Sequence, residues 1–361
     1  MVQRAPTGSG VIRLAWPDLG PEELAAVAEV FESGQLTMGP RVDEFEAGLA
    51  AACEAEHAVV VSSGTAALHL AVLAVGIGPG DEVIVPAYTF PATANVVALA
   101  GARPVLVDVD PETMNATAES VSAALTSRTK AVLVVHLFGR PAPWEELEAS
   151  VPDSVALLED AAGALGARRR GRACGGLGRL ACLSFHPRKI VTTGEGGAVT
   201  TDEAAIADAI RRFRHHGIEP RGDFEIRAPG LNYRLPDILC AIGTTQLRRL
   251  EELLVERERL ADAYAERLAG AVGLPSADEG DRHGWQAYVV RVDRRDELLA
   301  RLHDAGIQAQ IGTYALHRLV AYADQGPFPG ADEAYERALA LPFHNRLTDE
   351  ELDRVTEALT G

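Results

Sequence analysis

Lysine is almost missing from this chain. Lys130 and Lys189 are its only two among 361 residues, although lysine and arginine together number 34, so arginine carries nearly all the positive charge. Acidic residues number 52 and the formal net charge is −18, which disfavours nucleic acid or an anionic membrane as the main partner, while leaving room for a local basic pocket. No run of about twenty apolar residues is present, as a membrane-spanning helix would need. Cysteine is sparse: Cys53, Cys174, Cys182 and Cys240 are scattered without C-x-x-C spacing. That argues against a zinc site, an iron–sulfur cluster or a disulfide framework and reads as buried thiols. The first ten residues have no apolar core of signal-peptide type, so the expected location is the cytoplasm. The 47% hydrophobic content fits a well-cored chain with one large and one smaller domain.

Along the chain, helical spacing covers 21–31, after a proline suited to a helix start, and 42–55. A short apolar run at 58–61 then leads into Ser62-Ser63-Gly64-Thr65-Ala66-Ala67-Leu68, a small-residue turn opening a helix to residue 75. Such a turn aims several backbone N–H groups and a hydroxyl at one point, which suits a phosphate; a plain strand-to-helix turn with a serine cap is the simpler reading. Strand-like segments at 82–86, 104–108, 131–136 and 155–159 alternate with helix-like ones at 93–100, 116–125 and 144–149. This pattern predicts an α/β fold with a mostly parallel sheet covered on both faces. Ligands gather at the carboxyl ends of such strands, where Ser63-Gly64-Thr65, Pro86-Ala87-Tyr88-Thr89-Phe90 and Glu159-Asp160 fall. Asp160 could simply cap a helix, or stand opposite a protonated pyridine nitrogen. Phe90 could pack in the core or stack on a flat ring.

Lys189 lies between an apolar run ending in Ser184-Phe185-His186-Pro187-Arg188 and the bend Gly194-Glu195-Gly196-Gly197, before a second strand from 198. A lysine on a turn is ordinarily a solvated charge. Here lysine is scarce, and Ser184, His186 and Glu195 bring donors and an acceptor close. An amine attacking carbonyls needs such a setting, and covalent chemistry with a pyridoxal cofactor is its leading use. Beyond it come a helix at 203–212, an arginine- and histidine-rich connection, a loop over 219–231, and a long helical stretch from 237 to about 270. A domain boundary is expected near 250, dividing a large domain (1–250) from a small α+β domain (251–361). The latter has strands at 285–292 and 307–311 and helices at 296–305 and after 348.

The ordered set Gly34-Gln35-Leu36-Thr37-Met38-Gly39-Pro40, Ser63-Gly64-Thr65-Ala66-Ala67-Leu68, Pro86-Ala87-Tyr88-Thr89-Phe90, Glu159-Asp160-Ala161-Ala162, Ser184-Phe185-His186-Pro187-Arg188-Lys189 with Gly194-Glu195-Gly196-Gly197, and Asn232-Tyr233-Arg234-Leu235 resembles the DegT/DnrJ/EryC1/StrS family. These are pyridoxal-phosphate sugar aminotransferases of fold type I, and the likeness runs from about residue 12 to about residue 358. The resemblance implies pyridoxal 5'-phosphate as cofactor, held covalently by Lys189. It implies Asp160 on the pyridine nitrogen, Phe90 on the ring, and Ser63, Gly64, Thr65 and Ser184 at the phosphate. Asn232 would serve the site of a partner subunit in a homodimer. Relatives resembling dehydratases carry histidine where Lys189 stands, so sugar dehydration is disfavoured.

One position departs from the family. Three residues after the aspartate, where a glutamine commonly hydrogen-bonds the cofactor's phenolic oxygen, this chain has Gly163, so a water or another side chain must take that role. For a nucleotide-diphosphate sugar, Arg211, Arg212, Arg214, Arg221, Arg227 and Arg234 would supply basic partners; surface ion pairs are the alternative use of each. His186, Arg214, His215 and His317 are candidate substrate contacts, with L-glutamate or glutamine as amino donor. A keto-cyclitol acceptor, a lyase or desulfurase acting on amino acids, and a non-catalytic protein that keeps the cofactor stay open at this point.

Overall fold

The computed structural model describes residues 10–219 and 225–361. Its central feature is a seven-stranded sheet in the order His57–Val61, Gly197–Thr201, Leu180–Ser184, Ala156–Asp160, Thr129–Val135, Glu82–Pro86, Arg103–Val107. Only Gly197–Thr201 runs against its neighbours; the other pairings are parallel. These strands are rich in Val, Leu, Ile and Ala because helices cover both faces, so alternation with polar residues is not required. One face packs under the Gly64–Ala74 and Ala92–Leu99 helices around Leu70, Val97 and Leu133. The other buries Phe45, Trp144, Leu183 and Phe185.

The elements expected from sequence periodicity are present, with ends displaced by a few residues. The exception is the long stretch from 237, which divides into the helices Asp237–Arg248 and Leu250–Leu268 at Arg249. Periodicity read them as one because apolar spacing runs through the junction. The first helix buries its face within its own chain against Pro21–Ser33 and Pro40–Ala52. There Gly243 lets the Phe45 ring approach so closely that a Cβ would sit 2.4 Å from it. The second reaches from the second core, through Leu253 and Leu254, to a third, through Leu260, Tyr264 and Leu268. The break at Arg249 lies within the reach of the second core, which holds Cys240 on one side and Leu253 on the other, while the change of core falls inside the second helix.

The third core lies under a smaller sheet, in the order Tyr288–Arg291, Ala338–Leu341, Gln310–Ile311. Ile12 joins that core, its segment bridging to Ile307. Ala338–Leu341 and the preceding Pro329–Arg337 helix were not foreseen from the sequence. A two-stranded pairing of Tyr314–Ala315 with Tyr88–Thr89 ties the later half of the chain to the loop carrying Phe90. Among the described residues no helix is long and apolar enough to cross a membrane.

Candidate active site

The site collects at the carboxyl ends of the parallel strands, as this topology favours. Lys189 stands on the connection between the Leu180–Ser184 and Gly197–Thr201 strands. The connection is closed at its base by Phe185 N–H to Gly196 O (2.9 Å) and Thr193 N–H to Phe185 O (3.0 Å), and Lys189 N–H donates to His186 O (2.8 Å). Gly194 turns the chain back with φ +88°, a conformation other residues adopt at a cost. The Lys189 side chain is half-buried and forms no hydrogen bond or ion pair with any described residue. Burial pushes its pKa down, Asp160 opposes that pull, and Arg188 adds to it. Lys130, by contrast, is exposed on the Thr129–Val135 strand.

Asp160 ends its strand and is 6% exposed. Oδ2 accepts from Thr93 Oγ1 at 2.7 Å and Oδ1 from Ala162 N–H at 3.3 Å. No helix begins there, so the carboxylate is not a cap. Phe90 is 61% exposed, which removes it from the core; its ring meets Tyr314 edge-on at 6.3 Å. Thr93 and Tyr314 were missed from the sequence. Thr93 lies one helical turn beyond Phe90, a spacing that could have marked it; Tyr314 is more than two hundred residues away and carries no local signal.

The turn at 62–65 caps a helix through its serine and leaves the first amides of that helix free. Ser63 Oγ is the N-cap acceptor for Ala66 N–H at 3.0 Å, so its hydroxyl serves the helix. The amides of Gly64 and Thr65 have no intrahelical acceptor and point out of the helix N-terminus. Gly64 lies against Ser184, where a Cβ would come within 2.8 Å of the serine Cβ, bringing the Ser184 hydroxyl to the same N-terminus. Asn232 is exposed, with its backbone bridged to His215. Next to it, Tyr233 O accepts from Ser62 N–H at 2.8 Å.

The candidate substrate contacts divide. Arg214 is 5% exposed, and its Nη1 donates to Glu46 Oε1 at 2.6 Å and Val60 O at 2.7 Å. It pins a helix to the sheet edge and is not placed to meet a substrate. His317 is engaged as well, with Nε2 3.0 Å from Asp332 Oδ1 and the ring edge-on to Phe328. A basic run carries no sign of the distant carboxylate that takes Arg214, and nothing next to His317 in the chain marks Asp332 as its partner. His186 is half-buried beside Lys189; its Nδ1 accepts from Arg188 N–H at 3.2 Å, and burial lowers its pKa. His215 Nδ1 lies 2.6 Å from Arg234 Nη1, and burial, then Arg234, lowers its pKa. Of the other basic residues in the connection, Arg211 pairs with Asp208, Arg212 with Glu219, and Arg227 with Glu225, while Arg221 lies outside the described residues. Arg234 and Arg188 have no carboxylate partner among the described residues; Arg188 donates to Gln310 Oε1 at 2.8 Å.

These groups fit pyridoxal 5'-phosphate. A half-buried amine without an ion pair suits its aldehyde, and a buried carboxylate with a hydroxyl donor suits its ring nitrogen. Free helix N-terminal amides beside Ser184 suit its phosphate, and the exposed Phe90 its ring. Bound there, the cofactor would supply an electron sink for the electron pair left behind when a carbon loses its proton.

Comparison with known proteins agrees. The DegT/DnrJ/EryC1/StrS aminotransferase family model matches residues 17–360. The aminotransferase TlmJ from Streptoalloteichus hindustanus is 38% identical over 97% of this chain and 98% of that one, with a TM-score of 0.93. Helicobacter pylori PseC, an aminotransferase involved in the biosynthesis of pseudoaminic acid, is 27% identical over 97% and 98%, with a TM-score of 0.91. Spr1654 from Streptococcus pneumoniae, a candidate sugar aminotransferase, was solved in a PMP-form that is 29% identical over 97% of each chain at a TM-score of 0.93, and also in a PLP-form. Sequence motifs, sheet topology and site geometry thus converge, and the chain belongs to the DegT/DnrJ/EryC1/StrS aminotransferase family as a pyridoxal-phosphate-dependent aminotransferase of fold type I.

Proposed function

We propose that the enzyme transfers the amino group of L-glutamate to a keto-sugar, most plainly a nucleotide-diphosphate-linked keto-deoxyhexose, in a cytoplasmic route to an amino sugar. The observation that carries this reading is the pair of arginines without carboxylate partners, Arg188 beside Lys189 and Arg234 two residues from Asn232. Guanidinium groups left free of carboxylates are suited to a diphosphate. Spr1654, a candidate sugar aminotransferase, and PseC, through its part in pseudoaminic acid biosynthesis, support the sugar class. Lys189 delivers the proton to the acceptor carbon, Asp160 holds the ring nitrogen charged, and Phe90 with Tyr314 forms an aromatic wall.

The same reading includes a homodimer in which Asn232, exposed and without a side-chain partner among the described residues, completes the partner's site. Exposed apolar side chains at Leu24, Phe31, Leu36 and Met38 offer surface for such an assembly. The test is the visible spectrum of the cofactor-loaded protein. L-glutamate should bleach its yellow colour, and a nucleotide-linked keto-sugar should restore it with formation of the amino sugar. Bleaching without restoration by any nucleotide-linked acceptor, but with restoration by a keto-cyclitol, would overturn the nucleotide-sugar assignment.

A further inference from the structure

Gly163 leaves a gap in the expected set of cofactor contacts, and Gln286 from the later half of the chain lies beside it. A Cβ at position 163 would stand 3.4 Å from Gln286 Oε1 and 3.5 Å from both its Cβ and Cγ. A Cβ at 163 would thus be in ordinary van der Waals contact with the Gln286 side chain, which borders the place that a longer side chain there would take. Gln286 Nε2 donates to Arg188 O at 3.3 Å, the carbonyl just before Lys189. Its carboxamide thus lies between the segment that follows Asp160 and the segment that carries the lysine. One amide hydrogen goes to Arg188, leaving the other to donate.

The backbone around Gln286 is held from several sides. Gln286 N–H donates to Phe138 O at 3.0 Å and Gly284 N–H to Gly139 O at 2.8 Å. Arg257 Nη1 reaches Trp285 O at 3.1 Å and Gln286 O at 3.4 Å, and Trp285 N–H donates to His283 Nδ1 at 2.8 Å. At this crossing two bulky residues, Trp285 with φ +45° and Phe138 with φ +58°, occupy the left-handed region. Such residues persist there only when their surroundings over-determine them, and they cluster at functional sites. Gly139, φ +94°, admits the crossing, because a Cβ there would lie 2.9 Å from both Gly163 O and Trp285 N.

We propose that Gln286 contacts the bound cofactor, donating from the later half of the chain to the phenolic oxygen that a glutamine at position 163 commonly serves in this family. The contact is supplied by the segment leading into the Tyr288–Arg291 strand, so the state of the cofactor becomes linked to the seating of the smaller sheet. This inference rests on the cofactor and not on the acceptor proposed above.

The test is a pH titration of the visible absorbance of the holoenzyme with no substrate present. A donor at the phenolic oxygen matters most when the neighbouring nitrogen has lost its proton, so it favours that form and lowers the midpoint. Gln286→Ala should raise the midpoint by about one pH unit, the size of one hydrogen bond to a charged oxygen. Gln286→Glu, of the same shape but without the donor, should raise it further and covers the case in which the alanine protein fails to fold. Combining Gln286→Ala with Gly163→Gln should return the midpoint towards the parent value. Asp160, His186, Arg188, Lys189 and Glu195 are unchanged throughout, so the difference reports the carboxamide. A midpoint unmoved by either Gln286 substitution, or a shift that Gly163→Gln does not reverse, would overturn the proposal. A yellow protein inactive on every keto-sugar still gives the titration, which separates this failure from failure of the sugar reading.

Discussion

Thr93 Oγ1 donates to Asp160 Oδ2 across 2.7 Å, and the two side chains are 0% and 6% exposed. The same hydroxyl lies 3.2 Å from Phe90 O, so one threonine connects the buried carboxylate to the loop that displays the aromatic ring. Removing it as Thr93→Val keeps the shape and deletes the donor. A hydrogen bond to a charged group is worth about 1.5–3 kcal/mol, so affinity for pyridoxal phosphate should fall roughly 10- to 100-fold. Equilibrium binding followed by absorbance checks this; unchanged affinity would mean that the contact does not prepare the carboxylate.

Arg214 gives a contrast between stability and substrate recognition. It is the buried partner of Glu46 and of a strand-edge carbonyl, and breaking such a pair from one side costs about 3–5 kcal/mol. Arg214→Ala should lower the thermal midpoint substantially while the folded protein keeps the KM of the parent for its acceptor. A raised KM with unchanged stability would return Arg214 to the substrate site.

Acid should loosen the segment that holds Gln286. Burial keeps His283 neutral, pushing its pKa from 6.5 down to about 3, and His344 down to about 4. The unfolded chain protonates these rings near 6.5, so the unfolded state binds more protons below that value. Their contribution is fully present above pH 6.5 and is lost as pH falls towards 4 and 3, at up to about 1.4 kcal/mol per pH unit for each ring. Urea unfolding between pH 6.5 and 5, above the carboxylate range, should show this slope, and His283→Gln should reduce it by one ring's share. An unaltered slope would show that His283 does not titrate on unfolding.

Shared sites can be tested by mixing. Lys189→Ala should abolish turnover, and Asn232→Ala should weaken cofactor retention. If Asn232 serves the partner's site, exchanged subunits pair one intact lysine with one intact asparagine, and activity should exceed the sum of the parents. No recovery, with exchange verified by mass-tagged subunits, would place Asn232 in its own chain's site.

The sequence by itself determined the α/β alternation, the mostly parallel sheet, Lys189 on the connection between two strands, Asp160 at a strand end and the small-residue turn at 63–65. Each of these is local: a strand's apolar run, a turn's glycine and the residue that closes it are neighbours in the chain, and scarcity made one lysine stand out. Tertiary structure decided what depends on residues far apart. It withdrew Arg214 into a buried pair with Glu46 and turned His317 to Asp332, because a charge in a basic run gives no sign of which distant carboxylate will neutralise it. It divided the stretch from 237 at Arg249, a break that apolar spacing running through the junction does not reveal. It also set Thr93 beneath Asp160, Tyr314 beside Phe90 and Gln286 over Gly163. The last of these joins positions more than a hundred residues apart, a packing relationship fixed by two strained backbones and by the absence of a side chain at 163.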